Sequence, residues 1–92
     1  GQIMEEADFR KAAFKAVIDY FNSHCCYTDK FEISEADVYI VWQVRVLQNN
    51  KALLSTNIPD GMYYEFTWNG DDNVGYLDVY KKFDQAIVRG DD

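Results

Sequence analysis

Three clusters of residues carry side chains that could do chemistry, and their spacing decides what each can support. His24, Cys25 and Cys26 are the first, and the chain holds no other cysteine or histidine. Zinc takes about four ligands in a tetrahedron, normally from spaced pairs, and three consecutive residues cannot easily converge on one ion. A cysteine nucleophile activated by His24 fares no better, because neighbouring side chains at a helix end diverge. The ordinary reading is a helix terminus with a partly buried thiol. Asp71 and Asp72, flanked by Asn69 and Asn73, are the second cluster. They lack the alternating acids, central glycine and distal glutamate of a calcium loop. No apolar surroundings are evident to raise a carboxyl into general-acid range, so a solvated turn is expected. The third cluster is Trp42, Gln43, Arg45, Gln48, Asn49, Asn50 and Lys51, whose planar and amide groups suit recognition of a peptide or a base. Asparagine and glutamine at a strand end are equally ordinary turn formers. No phosphate-cradling glycine loop and no Ser-His-Asp arrangement is present. The sequence therefore supplies no catalytic, cofactor-binding or metal-ligating residue, and the expectation is a protein that is not an enzyme.

The elements that must position these residues are read from periodicity. Glu5 to Asn22 predicts a helix, with Glu5, Glu6 and Asp8 complementing its N-terminus. Phe9, Ala12, Ala13, Phe14, Ala16, Val17, Ile18, Tyr20 and Phe21 cover more than half its circumference, which predicts deep embedding. Ser23 to Asp37 is polar and irregular, with Phe31 and Ile33 as anchors. Val38 to Leu47 alternates as a strand, placing Val38, Ile40, Trp42, Val44 and Val46 against the helix. Gln48, Asn49 and Asn50 supply a turn, and Lys51 to Asn57 returns as a second strand. Ile58-Pro59-Asp60-Gly61 is turn chemistry, and Met62 to Trp68 alternates as a third strand before a turn at 69–73. Leu77, Tyr80, Phe83 or Asp84, and Ile87 recur at helical spacing, which predicts a second helix over 76–88. A competing strand over 74–80 would gather Val74, Tyr76, Asp78 and Tyr80 on one chemically mixed face. The expected fold class is α+β: an N-terminal helix, a three-stranded antiparallel meander and a C-terminal helix.

Ninety-two residues, 48% of them hydrophobic and 27% charged, suit one globular domain spanning 1–92. Gly1, Gln2 and Ile3 ahead of Met4 read as residues left by cloning. Fifteen aromatic side chains (seven Tyr, six Phe and two Trp) are many for so short a chain, and most are expected in the core. The formal net charge of −7 speaks against direct nucleic-acid binding and against an anionic membrane surface. It suits a basic protein surface instead, although acidity also serves plain solubility. No apolar run approaches a membrane span and no secretory signal is evident. Two adjacent cysteines cannot staple a fold, so a reducing cytoplasm is the expected compartment.

Asp37-Val38-Tyr39-Ile40-Val41-Trp42, Leu47-Gln48-Asn49-Asn50-Lys51-Ala52-Leu53-Leu54-Ser55-Thr56, Asp60-Gly61-Met62-Tyr63-Tyr64-Glu65, Asn69-Gly70-Asp71 and Tyr76-Leu77-Asp78-Val79-Tyr80-Lys81-Lys82 together resemble an uncharacterised family of small proteins. Its members are encoded by phages and prophages of Gram-positive bacteria. The resemblance covers most of the chain from Tyr20 onward and implies a phage origin and a host cytoplasm, while transferring no catalytic residue. The resulting expectation is a protein-interaction module, an inhibitor of a nucleic-acid-handling host or defence factor with a basic surface. Its candidate contacts are Tyr63, Glu65, Trp68, Asp71 and Asp72. A rival reading is a nucleotide-binding or sequestering module using Tyr39, Trp42, Arg45 and Asn49. A third is a homodimer paired through the second helix or a sheet edge.

Overall fold

Between Glu6 and His24 no proline or glycine interrupts the chain, and a continuous helix, α1, fills that span. The computed structural model describes residues 5–24 and 32–90. A single 3-10 turn follows at Glu35–Asp37. Four strands complete the order: β1 (Val38–Val46), β2 (Asn49–Thr56), β3 (Met62–Asn69) and β4 (Val74–Lys81). They form one antiparallel sheet in sequence order, each strand pairing with the next. The architecture is αββββ.

The second helix expected over 76–88 does not form, which corrects the αβββα expectation. Residues 74–81 pair with β3 along their whole length, from Val74 opposite Asn69 to Lys81 opposite Met62. Leu77 and Val79 pack against the core on the helix side, while Tyr76, Asp78 and Tyr80 point the other way. The mixed face that argued against a strand is the face turned from the helix. Beyond Lys81 no regular structure continues through 82–90, and Phe83, Ile87 and Val88 stand exposed. Their helical spacing finds no surface to bury against, and tertiary packing supplies most of a helix's stability.

A second correction concerns β1. Val38 and Ile40 lie opposite Thr56 and Leu54, on the helix side as expected. A bulge between Ile40 and Trp42 then shifts the register, so Trp42 opposes Leu53 and Val44 opposes Lys51. One extra residue reverses every later side chain. Trp42, Val44 and Val46 therefore leave the helix side, and Gln43 and Arg45 take their places. The first turn is also tighter than expected. Leu47 and Gln48 alone connect β1 to β2, with Leu47 at φ 57°, so Asn49 and Asn50 belong to the strand.

α1 lies across β1, β2 and β3. Its own Phe9, Ala13, Val17 and Phe21 are buried against Val38, Ala52, Leu54, Tyr64 and Phe66. Ala13 is buried in this core with Ala12 and Ala16 partly buried beside it, and Phe9 packs on Phe66 at a ring separation of 5.6 Å. Each fully buried large side chain, such as Leu54 or Val17, contributes about 1.5–3 kcal/mol by leaving water. At its far end Asn22 holds Ile33 by two hydrogen bonds, donating to the Ile33 carbonyl at 3.2 Å and accepting its N–H at 2.9 Å. Ile33 is thereby fixed in the core.

Candidate functional site

The bulge in β1 gives the sheet an open face of unusual composition. Register places Tyr39, Trp42, Val44 and Val46 of β1, Lys51 and Leu53 of β2, Tyr63, Glu65 and Thr67 of β3, and Tyr76, Asp78 and Tyr80 of β4 on the side away from α1. Trp42 is 43% exposed, Tyr39 50%, Tyr76 53% and Tyr80 51%, so each ring presents about half its surface to solvent. Val44, Val46, Asn49, Lys51 and Thr67, with Asn50, line a shallow depression of about 180 Å³ at one end of this face. Aromatic rings of this kind, amphipathic and low in rotamer entropy, are what protein interfaces favour.

The charges on the face lie towards β3 and β4. Lys51 reaches Glu65 at 3.8 Å, and Glu65 accepts a hydrogen bond of 3.3 Å from the Tyr80 hydroxyl. The Glu65 carboxylate beside it, then partial burial and Asp78, raise the Tyr80 pKa above the ordinary tyrosine value. Next to this face the β3–β4 turn carries Asp71 and Asp72, both exposed. The Asn69 side-chain oxygen accepts the N–H groups of Asp71 and Asp72 at 3.0 and 3.2 Å, and its amide donates to the Asp72 carboxylate. The Gln48 amide donates to Asp71, and the Asn49 side chain accepts the Gly70 N–H at 3.1 Å. Both turns at this end of the sheet are thus laced together, and the acids serve that lacing.

The structure brings together some of the sequence-predicted residues and separates others. Tyr63 and Glu65 share the open face, and Asp71 and Asp72 adjoin it, but Trp68 lies on the helix side, opposite Asn50 and Gly75. Tyr39, Trp42 and Asn49 also share the open face, whereas Arg45 pairs with Asn50 on the helix side. The rival set of Tyr39, Trp42, Arg45 and Asn49 is therefore divided between the two faces of the sheet. Val44, Val46, Tyr76 and Tyr80 also lie on the open face, where the sequence alone does not put them. For the two tyrosines the signal is strand pairing over 74–81, and for the two valines it is the bulge in β1, which the alternation itself does not show.

His24 stacks on the Tyr20 ring at 3.9 Å, and its Nδ1 lies 2.9 Å from the Tyr20 carbonyl oxygen, while Cys25 and Cys26 lie outside the described residues. Among the described residues no group of three His, Cys, Asp or Glu side chains could hold a metal ion. None of their helices is long and apolar enough to cross a membrane.

Residues 10–90 match a family of unknown function, DUF6275. The chain belongs to that family. No curated protein and no solved structure shows significant similarity to it.

Proposed function

We propose that this protein acts by docking, through the open face of its sheet, on a basic surface of a partner protein, with no chemistry of its own. One observation carries the reading: half-exposed Trp42, Tyr39, Tyr76 and Tyr80 share a face whose β3–β4 side is acidic through Glu65 and Asp78, next to Asp71 and Asp72. Rings would supply the anchors, and the acids would steer a cationic partner and fix its orientation. A formal charge of −7 extends the same complementarity over the molecule. The resemblance to phage- and prophage-encoded proteins supports a place in the host cytoplasm and a stoichiometric role, the inhibition of a host or defence factor that handles nucleic acid.

The test is a tagged pull-down from host lysate at low and high salt, run in parallel with two surface variants. A stoichiometric partner that is lost at high salt, lost with Trp42→Ser plus Tyr80→Ser, and weakened about tenfold or more by Glu65→Lys plus Asp71→Lys is the expected result. A partner retained by both variants would place binding elsewhere on the molecule. Capture of nothing, together with a dimer by light scattering that Trp42→Ser dissolves, would assign the face to a second copy of the chain.

A further inference from the structure

On the helix side, the end of the sheet beside the start of α1 holds two buried side-chain nitrogens without hydrogen-bond partners among the described residues. Asn50 is 3% exposed, and its amide nitrogen has no hydrogen-bond partner among the described residues. The indole nitrogen of Trp68, directly opposite Asn50 on β3, is likewise buried and unpartnered. Across the other edge of β2, Arg45 stands directly opposite Asn50, and no carboxylate among the described residues lies within ion-pair distance of it. Glu6, Gln43, Val44, Arg45 and Asn50 line a cleft of about 240 Å³ there. Glu6 opens α1. The first turn of a helix leaves backbone N–H groups without intrahelical partners, and its dipole favours negative charge.

Buried donors left unmet are costly, so a fold that keeps two side by side has a reason or a guest. We infer that this cleft binds a small oxoanion, a carboxylate or phosphate group, through the Asn50 amide and the Arg45 guanidinium. The guanidinium fork is the group that fits either oxoanion with two parallel hydrogen bonds. Gln43, directly opposite Ala52 and on the same face as Arg45, adds a further amide at the rim. The Glu6 carboxylate is exposed and can turn into water, but it limits the charge the cleft accepts. On a molecule of net charge −7 the attraction has to be local, and in this cleft the Arg45 guanidinium supplies it. Gln43, Arg45 and Asn50 project to the helix side of the sheet, away from the rings of the docking face, and the inference does not rest on that face.

The experiment is a titration of nitrogen-labelled protein with inorganic phosphate, and separately with acetate, against sodium chloride of matched ionic strength. The reporters are the Asn50 side-chain amide and the Trp68 indole, with the Trp42 indole on the open face as internal control. A saturable shift of the first two, with Trp42 unmoved, is expected from at least one anion, and which anion saturates identifies the source chemistry. Arg45→Gln, an exposed change on an edge strand, should weaken that binding about tenfold while leaving the rest of the spectrum in place. No saturable shift from either anion beyond that of chloride would overturn the inference and assign the two donors to water. Saturation unchanged in Arg45→Gln would overturn it as well.

Discussion

The two faces of the sheet are built from the same four strands and have opposite fates. Under α1, Ala52, Leu54 and Tyr64 are almost wholly removed from water. On the other side Tyr39, Trp42, Tyr76 and Tyr80 are no less aromatic, and they remain half in solvent. The difference teaches that side-chain type does not decide burial here. A single extra residue in β1 sends Val38 and Ile40 to one side and Trp42, Val44 and Val46 to the other, so part of what the helix could have covered is left open.

The sharpest way to break that contrast is to change one residue on each face. Leu54→Ala should cost about 3 kcal/mol of unfolding free energy in a denaturant titration, since it removes buried methyl groups and leaves a cavity. Val44→Thr, nearly isosteric at 47% exposure, should stay within about 0.5 kcal/mol. An open-face change as costly as the core one would mean that this face is covered in solution. Gly75 sharpens the helix side further. A Cβ there would sit 2.8 Å from Phe66 Cζ and 3.3 Å from Trp68 Cε3. Gly75→Ala should therefore cost about 1–3 kcal/mol and shift the Trp68 resonances, leaving those of Trp42 in place.

The smallest effect separates the faces by titration. Tyr80 has a raised pKa in the fold, so the stability tied to its neutral form is complete below the ordinary tyrosine value and is lost as pH rises past it. Glu65→Gln removes the largest cause, and tyrosinate absorbance should then show Tyr80 ionising at lower pH. At the acid end the sign reverses. The Ser34 backbone N–H and the Asn57 amide hold the Asp37 carboxyl below its ordinary range. Its contribution, present above the ordinary carboxylate value, should disappear as pH falls through the lowered one, and Asp37→Asn should flatten that acid limb.

The helix and the first three strands were legible because each carries a clean period bounded by turn residues. The phase of β1 was not, since a bulge leaves the alternation intact and only changes which side it serves. β4 was hidden for a related reason. Leu77 and Tyr80 recur at helical spacing, yet Leu77 and Val79 also alternate, and only pairing with Phe66 and Tyr64 decides between the two. The open face followed from both misreadings, since Trp42 was placed inside and Tyr76 and Tyr80 on a helix. Trp68 erred the other way, because an aromatic at a strand end looks like an anchor until its register with Asn50 is known. The donor cleft could not be read at all, because it joins Glu6 to residues 43–50 across the fold.

The strictly sequential pairing of the strands has a consequence for how the molecule comes together. Every hairpin closes through a short connection, so the sheet can form by local steps with little loop entropy to overcome. α1 is different. It precedes all the strands in the chain, and its apolar stripe needs β1, β2 and β3 together before it is covered. During synthesis the helix is therefore made before the strands it needs, and the interval until β3 is in place is when its apolar stripe is most open to aggregation or to a chaperone.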